Sequence, residues 1–276
     1  MTAFRKMHGL GNDFVVIDLR GGGHPFTPAQ VTRIADRRKG VGCDQFITIE
    51  PPRTPGATAF MGIRNPDGSE AGACGNATRC VAALLMAELA ADAVVIETIS
   101  GLLPATRAAG GLVTVDMGPA RLDWDAIPLA EARDTAALGL SAGSLQGGVA
   151  VSMGNPHAVF FVDDVAAVPL EDVGPRVETD PLFPARTNVE AVQVLTRDTL
   201  RMRVWERAAG ITQACGSGAC AVLVAAVRLG LADRRAQVIL DGGPLTIEWR
   251  ENDGHVLMTG PVATSFTGTL HESLLA

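Results

Sequence analysis

Short β-branched and apolar runs, bounded by glycine, proline and aspartate, recur along the whole chain and predict strands. "FVVID", "QFITI", "VVIETI" and "LVTVDM" fall in the first part, and "AVFFVD", "AVQVL", "LRMRVW", "AQVIL" and "LTIEW" in the second. Two segments depart from this pattern. "ATRCVAALLMAELA", after Cys74, and "GACAVLVAAVRLGLA", after Cys215, are apolar on almost every helical face. A helix of that kind is buried all round, so each is expected to fill the middle of a strongly curved sheet.

The two parts also resemble each other. "HGLGNDFVVID" aligns with "VSMGNPHAVFFVD", setting Gly11-Asn12 against Gly154-Asn155 at an offset of 143 residues. Gln45 falls against Asn188 at the same offset, and Asn65 and Glu206 each precede a cysteine by nine residues. Cys74 and Cys215 match at an offset of 141. One order of landmarks at nearly constant spacing predicts a duplicated unit. The expected division is 1–117 and 118–263, at the Gly-Pro of residues 118–119, with 264–276 a candidate return to the first unit.

At 276 residues and 47% apolar composition the chain is long enough for two domains with real cores. A net charge of −7 argues against a nucleic-acid surface and favours a small-molecule partner. The first 20 residues lack the apolar core of a signal peptide, and no apolar run reaches bilayer length, so a cytoplasmic protein without a membrane partner is expected. Five cysteines, an odd number, point to thiols rather than a disulfide framework. The pairs Cys74/Cys80 and Cys215/Cys220 lack zinc-knuckle spacing, so no metal is expected. Pyridoxal chemistry needs a lysine, and the chain has only Lys6 and Lys39, the latter in a basic "RRKG" run that reads as a solvated helix end. No Gly-x-Gly-x-x-Gly follows a strand, so no cofactor is expected at all.

Cys43, Cys80 and Cys220 read as small buried hydrophobes. Cys74 and Cys215 differ, because each stands just before a first helical turn, where outward N–H groups and the helix dipole favour a thiolate. The N–H groups of Gly75, Asn76, Gly216 and Ser217 at the same ends suit a substrate carboxylate. An approximate two-fold relation between the units is expected to set the thiols face to face. Inverting a carbon stereocentre without redox chemistry takes one proton from one face and returns one to the other, which requires such a pair, one thiolate and one thiol.

The segments "KMHGLGNDFVVID", "GVGCDQ", "RNPDGSEAGACGNATRC", "GNPHAVFFV", "TNVEAVQV" and "WERAAGITQACGSGAC" together resemble the diaminopimelate epimerase family over nearly the whole chain. These are cofactor-independent enzymes that interconvert LL- and meso-diaminopimelate on the route to lysine and peptidoglycan. Proline racemases and phenazine-biosynthesis isomerases share the architecture, and the paired Cys-Gly-Asn and Cys-Gly-Ser-Gly signatures favour the epimerase. The resemblance implies an α+β fold of two pseudo-symmetric domains, each a curved mixed sheet or barrel around a central buried helix, and a homodimer. It implies that Cys74 and Cys215 are the acid/base pair, assisted by His157 and Glu206. Asn12, Asn65, Asn155, Asn188 and Arg207 would surround the substrate, with Gln45 in support and backbone donors at Gly75, Asn76, Gly216 and Ser217.

Ala77 and Ala208 stand where the family commonly has glycine, and Cys43 where alanine is frequent; Ala208 matters most if its φ is positive. Other readings of the cysteine pair are a related racemase with another substrate, a thiol redox-regulated protein and a non-catalytic amino-acid binder.

Overall fold

A computed structural model of the chain describes residues 2–276. The chain divides into two units, Met1–Val115 with Gly260–Ala276, and Asp116–Thr259.

The first unit contains β1 (Thr2–Gly9), β2 (Asn12–Asp18), α1 (Pro28–Ala35), β3 (Gln45–Glu50), β4 (Ala59–Arg64), α2 (Gly75–Glu88), β5 (Ala93–Thr98), β6 (Gly101–Arg107) and the start of β7 (Val113–Pro119). The sheet order is β7-β6-β5-β4-β3-β2-β1, and the C-terminal strand Ala263–Leu270 pairs antiparallel with β1. β2/β3 and β4/β5 are parallel, the other neighbours antiparallel. β1 turns into β2 through Leu10 and Gly11, both at positive φ (56° and 84°), as the two central residues of a type I′ turn require. This turn makes Asn12 the first residue of β2.

β2 is apolar without alternation because both its faces are covered. Val15 and Ile17 pack with Phe26, Val31, Ile34 and Phe46 beneath α1, while Phe14 and Val16 take the opposite face. α2 lies on that inner side against β1, β2, β5 and β6. A straight helix meets strands so far apart in the sheet only if the sheet curves around it.

The second unit contains β8 (Leu140–Ala142), β9 (Leu145–Gly147), β10 (Val149–Ser152), β11 (Pro156–Phe161), α3 (Leu170–Glu178), β12 (Asn188–Thr196), β13 (Thr199–Glu206), β14 (Gly210–Ile211), α4 (Gly216–Arg228), β15 (Arg235–Leu240), β16 (Gly243–Trp249) and β17 (His255–Gly260). Its order, β10-β11-β12-β13-β15-β16-β17, repeats that of the first unit. The parallel pairs, β11/β12 and β13/β15, fall at the same places. α4 packs against β10, β11, β12, β13, β15 and β16, and α3 covers the outer face with Phe160, Val173, Val177, Val189 and Ala191. The expected fold, a curved mixed sheet around a buried helix in each half, is the fold observed. Among the described residues no helix is long and apolar enough to cross a membrane.

The loop after β13 is clamped from α3. Glu178 accepts from Trp205 Nε1 at 2.6 Å, Ala208 N at 3.0 Å and Arg186 Nη1 at 3.3 Å. Burial works to raise the Glu178 carboxyl, and these donors bring it below its ordinary value. Within the clamped loop Ala208 has φ 61°, a left-handed conformation in which its Cβ crowds the backbone. Ala208→Gly is expected to stabilise the protein by about 1 kcal/mol. Thermal unfolding checks this: the midpoint should rise by roughly 2–4 °C, and an unchanged or lower midpoint would mean that the clamp carries no strain.

Candidate active site

In the first unit Cys74 is the N-cap of α2. Its backbone is extended and its Sγ accepts from Ala77 N at 3.5 Å. Gly75 and Asn76 occupy the first two helical positions, whose N–H groups point out of the helix end. Asn12, delivered by the β1/β2 turn, sets its Oδ1 3.8 Å from Cys74 Sγ and accepts there from Asn76 Nδ2 at 3.1 Å. Its Nδ2 donates to Asp44 Oδ2 at 3.0 Å. A carboxylate only accepts, so this bond fixes the amide with its carbonyl toward the sulfur.

Asp44 is held in turn. Arg37 bridges Asp44 Oδ1 (2.6 Å) and Asp13 Oδ1 (2.7 Å), and the buried Lys6 pairs with Asp13 and donates to the carbonyl of Gly42. Burial works against the Asp13 charge, but Arg37 and Lys6 hold its carboxyl well below the usual carboxylate range. Gln45, the first residue of β3, donates to Asn65 Oδ1 at 3.4 Å, and Asn65 Nδ2 donates to Ser69 Oγ at 3.1 Å. Gln45 Oε1 is buried and, among the described residues, has no hydrogen-bond partner.

In the second unit Cys215 is the N-cap of α4, with Sγ accepting from Gly218 N at 3.4 Å and 3.6 Å from Ser217 Oγ. Gly216 and Ser217 open the helix as Gly75 and Asn76 do in α2. Asn155 Nδ2 donates to Ser217 Oγ at 3.3 Å, and its Oδ1 lies 3.1 Å from His157 Nε2. The ring's Nδ1 lies 2.7 Å from Glu190 Oε1, and both side chains are fully buried. Glu206, at the end of β13, takes hydrogen bonds from Thr212 and from the Cys215 thiol. The residue is half-buried overall but its carboxyl end is enclosed, and burial pushes that carboxyl up.

Burial also pushes the Cys215 thiol far up, and the Glu206 and Glu190 carboxylates push it further; the Ser217 hydroxyl and Gly218 N–H pull weakly the other way. Desolvation exceeds what the helix end returns, so the surroundings of Cys215 favour its thiol form, as one member of a thiolate–thiol pair requires.

The expected residues divide between the units. Asn12, Gly75 and Asn76 surround Cys74, with Gln45 and Asn65 forming a second pair at the head of β3 and the end of β4. Asn155, His157, Glu206, Gly216 and Ser217 surround Cys215. Asn188 is occupied by backbone, donating to Pro156 O and accepting from Arg207 N, both at 2.9 Å. Arg207 is exposed; its guanidinium donates to Ala185 O at 3.1 Å, and it is no ion-pair partner of Glu206. Glu190 and Asp44 escaped the sequence reading. For Glu190 the signal was a single acid inside the apolar run "NVEAVQV". The other three cysteines are buried as expected, and burial pushes Cys43 to about 11 and Cys80 to about 12.

Comparison with known proteins converges on one family. A sequence model of the family described as "Diaminopimelate epimerase" matches residues 4–122 and 149–265. A relative named diaminopimelate epimerase from Rhodospirillum centenum is 62% identical over 272 residues, covering 99% of this chain and 93% of its own length. Another of that name from Acidiphilium cryptum is 57% identical, covering 99% and 98%. Among solved structures, a probable proline racemase from Agrobacterium radiobacter, with bound carbonate, superposes with a TM-score of 0.71 at 17% identity, covering 98% of this chain and 93% of that one, a likeness of fold alone. With matched segments that take in both cysteine-capped helices, and identities this high over nearly its full length, the chain belongs to the diaminopimelate epimerase family.

Proposed function

We propose that this chain interconverts LL- and meso-diaminopimelate by moving protons through Cys74 and Cys215, without a cofactor. The observation that carries the reading is the repetition of one station in each unit: a cysteine at the N-cap of a buried helix, glycine behind it, and an asparagine from the start of a strand beside it. Inversion of the α-carbon needs two acid/base groups, and each unit supplies one. In one direction a cysteine thiolate takes the α-proton and becomes a thiol, leaving the electron pair on the carbon and its carboxylate. The other cysteine gives its proton to the opposite face and becomes the thiolate. The reverse reaction exchanges the roles.

The helix ends at Gly75-Asn76 and Gly216-Ser217 suit the carboxylate that bears the developing charge. The unpartnered Gln45 Oε1 suits an ammonium donor. Glu206 is the base that takes the Cys215 proton, since the thiol already donates to it. Asn12, Asn65, Asn155, Asn188 and Arg207 hold the two polar ends of the substrate, and His157 assists beside Asn155. The same reading makes the protein a cytoplasmic homodimer serving lysine and peptidoglycan precursor synthesis; sedimentation of the purified chain tests the assembly.

Cys74→Ala and Cys215→Ala are each expected to lower interconversion by roughly 10³-fold or more, while the wild-type chain incorporates solvent deuterium at the α-position with no added cofactor. Full activity in either variant ends the two-cysteine reading, and tight binding without exchange would make the chain a binder.

Glu206→Gln tests the base. Burial raises the Glu206 carboxyl above its ordinary value of 4.5, so the charged, proton-accepting form is present above the raised value and lost as pH falls through it. Turnover by the wild type should therefore show an acid limb above pH 4.5. In Glu206→Gln that limb should vanish and kcat drop by roughly 10²–10⁴-fold with little change in KM. An equal fall in kcat and rise in KM would assign Glu206 to binding.

A further inference from the structure

The two units are built alike but not filled alike. β2/β3 and β11/β12 are equivalent parallel pairs, with Phe14 opposite Gln45 in one and His157 opposite Asn188 in the other. Two residues further along, Val16 stands opposite Ile47 and Val159 opposite Glu190. Phe14 and Ile47 thus occupy in the first unit the positions that His157 and Glu190 occupy in the second, and all four are at most 0% exposed. An apolar pair beneath one helix end is replaced by a hydrogen-bonded acid–imidazole pair beneath the other.

The helix above has been cut to fit. Val189 and Ala191 belong to the outer core, so Glu190 between them points inward to α4. A Cβ on Gly218 would lie 2.8 Å from Glu190 Oε1 and 3.3 Å from Cys215 Sγ. The bare backbone of Gly218 admits the carboxylate next to the sulfur. The equivalent residue of α2 is Ala77, three positions after Cys74 as Gly218 is after Cys215. Glu190 Oε2, moreover, is buried without any hydrogen-bond partner among the described residues. A second carboxylate oxygen left dry and unpaired is costly, and nothing in the packing of the sheet requires an acid at this position, since the first unit closes with isoleucine.

We propose that Glu190 is a positioning residue of the second unit alone, holding the His157 ring by its Nδ1 edge and keeping the Cys215 sulfur in its thiol form at rest. The inference rests on the assignment of Cys215 as an acid/base group. With Nδ1 engaged, Nε2 is left facing Asn155 Oδ1 at 3.1 Å, and Asn155 in turn donates to Ser217 at the helix end. The groups that bear on Cys215 are Glu206 from β13, Glu190 from β12, His157 from β11, and the Ser217 hydroxyl and Gly218 N–H from α4. Of these, Glu190 is a carboxylate with no hydrogen bond to the sulfur, so its charge acts through space and favours the protonated form. The first unit has no counterpart of this acid, since Ile47 stands at the position of Glu190.

Glu190→Gln keeps the shape and removes the charge. Thiolate absorbance, taken as the difference between each protein and the same protein carrying Cys215→Ala, reads the Cys215 titration without substrate. The midpoint should fall by about one pH unit or more in Glu190→Gln and return toward the parent in Glu190→Asp, which restores the charge but not the reach to His157. kcat should fall at least severalfold in both variants with KM little changed. A Cys215 midpoint unmoved by Glu190→Gln, or moved upward, overturns the proposal, as does full turnover in both variants. Should Glu190→Gln unfold, Glu190→Asp alone still decides, because it must lose turnover while holding the thiol midpoint. Absence of epimerisation by the wild type would instead remove the proposed function and leave the thiol measurement standing.

Discussion

Each unit buries the N-terminal end of a helix inside a sheet, and a helix end carries N–H groups that the helix itself does not satisfy. Leaving them dry would cost more than the burial of an apolar helix returns at that point. Cysteine solves part of this by capping: Sγ accepts from the third residue of the helix in both units. Sulfur is a weak cap compared with serine or aspartate, but it is a cap that can exchange a proton. The remaining N–H groups then face a polar patch that the neighbouring strands must furnish, and this is why asparagines stand at the heads of β2 and β11, where tight turns deliver them.

What the chain disclosed in advance follows from how local each signal is. The helices α2 and α4 were legible because fourteen and thirteen residues of nearly uniform apolar character admit only a buried helix. β2, β3, β5, β11 and β12 were legible as largely apolar, β-branched runs. β6, with Pro104 and a single buried residue, and the C-terminal strand, largely exposed, carry almost no periodic signal; their pairing partners hold them in place. The short helices α1 and α3 escaped because eight or nine residues give barely two turns of amphipathic pattern. The duplicated landmarks named most of the residues around each cysteine, since spacing from a helix cap is a local quantity.

Pairings across a sheet are not local. His157 and Glu190 lie 33 residues apart and meet only because β11 and β12 run parallel in one register. A shift of one residue would turn Glu190 to the outer core beneath α3 and put an apolar side chain under α4. The sequence rule for a thiol at a helix end likewise had the right sign for the helix and missed the larger effect. Whether desolvation or the helix end wins depends on how many carboxylates share the burial, and that number is set by the fold.

Duplication supplies two equal stations, and electrostatics is what stops them from staying equal. Charges carried into a low-dielectric interior must find partners, and a cluster of two acids and an imidazole already strains what one helix end can compensate. In the first unit Asp13, Asp44, Arg37 and Lys6 pair with one another, and Asp44 accepts from the Asn12 amide whose carbonyl lies beside the Cys74 sulfur. The second unit draws its acids inward, and the sulfur there feels them directly. The two helix ends therefore carry the same cap in differently furnished surroundings, an amide backed by a paired charge cluster in one unit and a buried acid–imidazole pair in the other.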